Sequence, residues 1–473
     1  MTDDAIDALR ERGKPFEDAE AALVRAIVSS PPFLTDADEA ALRYALNLAR
    51  TAAVRTPSGA DVDLSELVAP LRETLRPAAD DLAAPRGFAP LEAVRLVPRA
   101  VALARAARER VLEALGDRLP AEALDREVCE KALVLVCGGG GGVGWSYLGA
   151  FGLLEQYGLV PRFLAGTSMG AMLLLFRARR LRWDLEEVAG ALRGLTFGSL
   201  FRFRPSESRY GLPAAMRLDP RPALGRFLAD PAGEPLTLGK LAIPLVVGVT
   251  GIRNGALPRD PRYYAHLLDL GDEEPRPNVL SRVVTEVFQA VGELLVQRDR
   301  FARIHLGADD ETRDFDALDA AGFSSALPGV IHYDVLREDD RMHAILGGLL
   351  ARHDLFRLVD GALVDILPAR AAWAAVQRGA AGSRNAFVLA LEGFAPKLTQ
   401  PLWYGLEQLA SQNVGRNRPF IHLLRSFQRT LSPMEVVPDE DALRRAVQSG
   451  KAELHPDMAF VARMVRPFAS LAA

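Results

Sequence analysis

An α/β fold with a mostly parallel central sheet flanked by helices, and with helical additions at both ends of the chain, is what this sequence predicts. Three observations point there. A Val-rich run, Ala132-Leu-Val-Leu-Val-Cys137, leads directly into five consecutive glycines, Gly138 to Gly142, as a buried parallel strand leads into a loop. A second apolar run, Val160-Pro-Arg-Phe-Leu-Ala165, opens into Gly166-Thr-Ser-Met-Gly170 and then an apolar helix from Ala171. Apolar residues at helical spacing prevail before about residue 127 and again after about 396.

The first region reads as helix after helix. Ala40, Ala41, Leu42, Ala45, Leu46 and Ala49 lie at helical spacing, as do Val94, Val97, Val101 and Ala104. Pro57-Ser58-Gly59 and Pro85-Arg86-Gly87 punctuate it. The second of these helices carries Arg95, Arg99, Arg105, Arg108 and Arg110. Such a helix either lies on an anionic membrane or shows a solvated outer face, and the latter is the simpler reading.

From Ala132 to Leu154 there is no charge, a length that could span a bilayer. A five-glycine run argues against a membrane helix, because each glycine loses roughly 1 kcal/mol against alanine in a helix interior. A strand, a glycine loop and a buried helix explain the same residues. Ala150, Leu153, Leu154 and Tyr157 fall on one helix face that ends near Gly158. With the second strand this forms one βαβ unit. Later strands are expected at Pro244–Thr250 and Phe356–Asp360, with an apolar stripe from Val283 to Leu295 between them. The chain thus divides into a helical region over 1–127, an α/β core over 128–395 with helical insertions near 255–315 and 335–355, and a helical region over 396–473.

Composition narrows the function. The 473 residues are 49% hydrophobic and 25% charged, which suits a packed core and not a disordered chain. A net charge of −4 offers no basic field for nucleic acid. Two cysteines, Cys129 and Cys137, exclude a disulfide framework and a multi-cysteine zinc module. No H-E-x-x-H, C-x-x-C or calcium-loop spacing occurs, so neither metal nor cofactor is expected. Met1 to Lys14 carry several acids and no apolar segment, so no signal peptide and a cytoplasmic location are expected.

The strongest chemical signal is Gly166-Thr-Ser168-Met-Gly170. A G-x-S-x-G between strand and helix is the nucleophile-elbow pattern. Gly166 and Gly170 are needed because side chains in so tight a turn would strike the strand or the helix. The serine oxygen then sits at a helix N-terminus, whose dipole favours negative charge.

The glycine loop has two readings. Gly139, Gly141 and Gly144 satisfy G-x-G-x-x-G, but a glycine run satisfies almost any glycine pattern. The acid a dinucleotide site needs about 20 residues later is missing, since Asp184 is the first after Glu155. The Gly-Lys-Ser/Thr of a P-loop is absent too. The better reading is an oxyanion hole, because neighbouring parallel strands bring the loop and the elbow to one sheet edge. Backbone donors aimed at a developing oxyanion are worth roughly 3 to 4 kcal/mol each.

Asp360, ending a strand before Gly361 and Ala362, is the candidate base for Ser168, since burial raises a carboxylate pKa into the useful range. Asp365 is the rival and reads as structural. A Ser-His-Asp triad is the competing arrangement, and the order Ser168, Asp360, His422 would suit it. The histidines are His266, His305, His332, His343, His353, His422 and His455. Neither His422 nor His455 follows a recognisable strand.

Together, Gly140-Gly-Gly-Val-Gly-Trp-Ser-Tyr-Leu-Gly-Ala-Phe-Gly-Leu-Leu-Glu155, Gly166-Thr-Ser-Met-Gly170, Asp360-Gly361-Ala362 and Ser324-Ser-Ala-Leu-Pro-Gly-Val330 resemble the patatin-like phospholipases, over roughly residues 130 to 370. The resemblance implies a patatin-like core and a lipid acyl hydrolase of phospholipase A or lysophospholipase type. It implies Ser168 as nucleophile, Asp360 as base and no catalytic histidine. Gly140, Gly141, Gly142, Val143 and Gly144 would form the oxyanion hole, and Gly361 and Ala362 the acid motif. A phospholipid or other acyl-lipid substrate and transient contact with a membrane surface follow, with no nucleic acid partner. The family usually carries Arg or Lys just before the last glycine of its loop, where this chain has Val143. That departure keeps open a non-catalytic module that binds lipid or protein. The Val283–Leu295 stripe either lines an acyl channel or lid, or packs on the sheet.

Overall fold

The computed structural model describes residues 2–84, 87–202, 208–255, 300–393 and 414–471. Two compact units make up the chain. One comprises Met1–Val134, Trp373–Val388 and Pro456–Ala473, the other Leu135–Ala372 and Leu389–His455.

In the first unit, helices Asp3–Ser29 and Asp36–Arg50 are each N-capped by a threonine, Thr2 and Thr35, whose hydroxyl accepts a backbone N–H of the first turn. This satisfies a donor that the helix itself leaves unpaired. Between helices, Pro57-Ser58-Gly59 turns a short hairpin of β1 (Ala53–Arg55) and β2 (Asp61–Asp63), which helical periodicity did not foresee. In helix Pro90–Leu115 the buried stripe is Ala93, Ala100, Ala104, Ala107 and Val111, while Val94 is exposed. Alanines take the core side because they let the neighbouring helix Asp36–Arg50 approach closely. Arg95, Arg99, Arg105 and Arg110 are exposed, and Arg108 pairs with Asp125.

A buried ionic cluster joins this unit's segments. Lys131 Nζ donates to Glu20 Oε1 and Asn47 Oδ1, and Arg43 donates to Glu20 and to the Met464 carbonyl. Burial pushes the Glu20 carboxyl up, but Lys131 and Arg43 outweigh it and hold it at about 2.

The remaining strands are β3 (Ala132–Cys137), β4 (Phe163–Thr167), β5 (Phe201–Arg202), β6 (Ala214–Leu218), β7 (Leu245–Arg253), β8 (Phe301–Leu306), β9 (Gly329–His332), β10 (Leu355–Asp360), β11 (Ala386–Glu392) and β12 (Leu423–Ser426). The central sheet runs β10-β7-β4-β3-β11-β12, with β8 also on β7. A small sheet joins β5, β6 and β9. Every residue of β3, β4 and β11 is buried, which explains their unbroken apolar runs. The expected helical C-terminal region contains β12, which lies parallel to β11. Its helices are Glu440–Leu454 and Met458–Val465.

One register sets the site. β4 runs parallel to β7, pairing Leu164 with Leu245 through Thr167 with Gly248. β10 runs antiparallel and pairs from Leu355 with Arg253 to Asp360 with Val249. β8 pairs with β7 across Val247–Ile252 and overlaps both. Since a strand has two hydrogen-bonding sides, β4 and β10 must share the side opposite β8. Their C-terminal ends therefore meet head to head, opposite the consecutive residues Gly248 and Val249. Asp360 ends a strand, as its sequence position suggests, and that strand is antiparallel to β7.

The Val283–Leu295 stripe lies outside the described residues. Among them, no helix is long and apolar enough to cross a membrane.

Candidate active site

Ser168 links β4 to the helix Met169–Ala178 and adopts φ 54° and ψ −129°. Among the described residues, only Ser168 and Asp354 have positive φ without being glycine. Such a conformation costs on the order of 1–3 kcal/mol and persists where its surroundings impose it. The imposition is visible at Gly170, where a Cβ would lie 2.3 Å from the Cys137 carbonyl oxygen. The helix start is thus pressed against the end of β3, and the serine side chain is turned out of the sheet.

Ser168 Oγ donates to Asp360 Oδ2 at 2.9 Å. Asp360 is held from several sides. Its Oδ1 accepts from the Ala362 N–H at 2.8 Å, its own N–H donates to the Ala326 carbonyl at 2.9 Å, and its carbonyl accepts from Thr250 Oγ1 at 2.7 Å. Gly361 makes the approach possible, because a Cβ there would sit 2.2 Å from the Gly248 carbonyl oxygen. Burial raises the Asp360 carboxyl to about 7, against the lowering effect of the Ala362 and Ser168 donors. A base with that pKa suits proton transfer near neutral pH.

Asp365 is engaged elsewhere. Asn417 donates to its Oδ1, His305 lies on its Oδ2, and its carbonyl accepts from Thr167 Oγ1.

The loop after β3 reaches Ser168 through its first glycines. A Cβ on Gly139 would lie 3.2 Å from Ser168 Cβ. The N–H groups of Gly138, Gly139, Gly142 and Val143 donate to Leu391, Ile366, Pro433 and Gly140 carbonyls. Gly140 and Gly141 adopt φ 151° and 56°, and both line the same cavity as Ser168 and Asp360. Gly142, Val143 and Gly144 do not line it. Of the five residues expected as oxyanion donors, two therefore face the site. Val143 is buried and packs on Gly393, where a Cβ would come within 2.1 Å of Val143 Cγ1.

The cavity measures about 570 Å³, within the range of roughly 300–1,000 Å³ usual for small-molecule sites. Its wall is apolar, formed by Trp145, Met172, Phe176, Phe201, Leu218 and Ile331 among others. Arg193, Asp439 and Glu440 add charge. Phe197 and Met434 also line it while remaining exposed. No histidine is among the described residues lining it, so neither His422 nor His455 meets Ser168 there. His266 lies outside the described residues. Nothing in the described parts of 255–315 or in 335–355 lines it either.

Two contributors escaped the sequence reading. The segment from Pro433 to Leu443 supplies one wall, including Val436 and Val437. It seats on the glycine loop, where a Cβ on Gly142 would meet the Ser432 carbonyl oxygen at 2.2 Å. Nothing in its local sequence marks it. Ser324, which entered the sequence reading only within the segment Ser324–Val330 and with no role of its own, accepts from the Ser168 N–H at 2.7 Å.

A family model described as patatin-like phospholipase matches residues 135–373, just over half of the 473-residue chain. No curated protein matches the chain.

Proposed function

The chain belongs to the patatin-like phospholipase family of serine hydrolases acting on acyl lipids, and from that premise we propose that it cleaves carboxylic esters of phospholipids or lysophospholipids with Ser168 and Asp360 as a catalytic dyad. The observation that carries this reading is the 2.9 Å hydrogen bond from Ser168 Oγ to Asp360 Oδ2 at the wall of an apolar cavity.

In this mechanism the acyl chain lies along the apolar wall and places its ester carbonyl beside Ser168. Asp360, ionised, takes the hydroxyl proton as Oγ attacks the carbonyl carbon. The N–H groups of Gly140 and Gly141 donate to the resulting oxyanion. Collapse of the tetrahedral intermediate breaks the ester C–O bond, and Asp360 returns the proton to the departing alcohol. Water, deprotonated by Asp360, then attacks the acyl-serine. Fatty acid is released and Ser168 is restored. The apolar wall favours this chemistry by shielding the charges from water. A membrane surface contacted transiently would supply the substrate.

The triad alternative loses support because no described histidine lines the cavity. The non-catalytic alternative rests on Val143, whose buried place against Gly393 offers no positive charge to the site. Fluorophosphonate labelling of the wild type beside Ser168→Ala and Asp360→Asn, followed by fatty-acid release from mixed phospholipids, tests the proposal. Labelling lost in Ser168→Ala, with hydrolysis lost in both variants, is expected. A folded wild type that takes no label would favour the lipid-binding reading.

A further inference from the structure

The segment Ser324–Ala326 touches both halves of the dyad. Ser324 closes the buried helix Ala317–Ser324 and has no solvent exposure. Its Oγ accepts from the Ser168 N–H at 2.7 Å and donates to the Gly248 carbonyl at 2.6 Å. Two residues on, the Ala326 carbonyl accepts from the Asp360 N–H at 2.9 Å. Gly248 is the β7 residue opposite Thr167, at the point where β4 and β10 meet. One hydroxyl therefore satisfies two buried backbone groups at that junction.

We propose that Ser324 is a positioning residue that holds Ser168 in its strained conformation at the distance from Asp360 that proton transfer requires. The inference rests on the dyad reading above. A residue at φ 54° stays there only if its neighbours oppose relaxation. The Ser168 N–H cannot rotate away from Ser324 Oγ without leaving a partly buried donor unpaired, which is costly, and Ser324 Oγ is itself anchored by its bond to the Gly248 carbonyl. The Ala326 carbonyl fixes Asp360 within the same short segment, so nucleophile and base are referenced to one piece of backbone. Effects on rate are steep, since a displacement of about 1 Å can cost about 100-fold.

The test compares wild type with Ser324→Ala, Ser324→Cys and Ser324→Thr, using thermal unfolding, fluorophosphonate labelling rates and kcat and KM on a soluble short-chain ester. Ser324→Ala should lower kcat and the labelling rate by about 10- to 100-fold, with KM within about twofold of wild type. Ser324→Cys, close in size but a weaker partner, should fall between the two and serves if the alanine variant does not fold. Ser324→Thr retains the hydroxyl and should recover most of the rate. The acid limb of the pH profile should move upward in Ser324→Ala, because a displaced Ser168 no longer stabilises the Asp360 carboxylate. Folded alanine and cysteine variants with wild-type kcat, or a loss that a folded Ser324→Thr does not relieve, would overturn the inference alone. A folded wild type without labelling would overturn the dyad reading along with it.

Discussion

The hydroxyl of Ser168 and the carboxylate of Asp360 are 192 residues apart in sequence and 2.9 Å apart in space. Two strands that approach each other end to end along one side of β7 bring them together. The base thus reaches the nucleophile from a backbone running opposite to the parallel strands, with no third side chain between them.

Asp360 must be ionised to accept a proton, and burial raises its carboxyl to about 7. We expect kcat/KM on a soluble ester to rise about tenfold per pH unit below that value and to level off above it. A profile flat from about pH 5 to 8 would contradict a lone carboxylate base with this pKa.

The same burial makes Asp360 a cost to stability. Its carboxyl titrates near 3.8 when unperturbed and near 7 when folded. Between those values the folded protein keeps a proton that the unfolded chain has released. Stability therefore falls as pH rises through that window, by up to about 1.4 kcal/mol for each pH unit crossed. Asp360→Asn should remove this slope and unfold at a temperature at least as high as wild type at pH 8, while activity drops by about 10²- to 10⁴-fold. Thermal unfolding of both proteins between pH 4 and 8 checks it; parallel curves would contradict it.

Gly361→Ala should damage both fold and activity. The added Cβ would lie 2.2 Å from the Gly248 carbonyl oxygen and 2.8 Å from Thr167 Cγ2. Relief requires the end of β10 to move, taking Asp360 with it. A loss of about 1–3 kcal/mol is expected from such overpacking, together with slower fluorophosphonate labelling. Denaturant titration and the labelling rate report the two effects separately, and a variant unchanged in both would refute the geometry.

The wall contributed by Pro433 to Leu443 depends on close backbone contact with the glycine loop. In Gly142→Ala a Cβ would meet the Ser432 and Glu435 carbonyl oxygens at 2.2 and 2.5 Å, and the Gly142 N–H bond to Pro433 would be disturbed. We expect faster limited proteolysis near 432–435 and weaker discrimination between acyl chain lengths. Unchanged cleavage and unchanged chain-length preference would show that the contact yields without consequence.

The parts of the fold legible from the residues alone are those that short-range sterics dictate. The buried strand Ala132–Cys137, the glycines that follow it and the elbow around Ser168 occupy contiguous residues, and their composition admits few other conformations. The match was not perfect even there. Strand β4 runs over Phe163–Thr167, because the strand continues into the first residues of the elbow. The turn at Pro57-Ser58-Gly59 was visible, yet its hairpin was not, since strands of three residues carry too little periodicity to register against long helices.

Which groups meet is set by long-range packing. Asp360 and Asp365 lie within five residues of each other, and both are buried. The antiparallel register with β7 turns the first toward Ser168, while Asn417 and His305 take up the second. The same packing brings Ser324 to the Ser168 N–H and the segment beyond Pro433 to the cavity. These pairings join residues far apart in the chain. Strand register and close backbone packing settle them, and neither leaves a mark in the local pattern of residues.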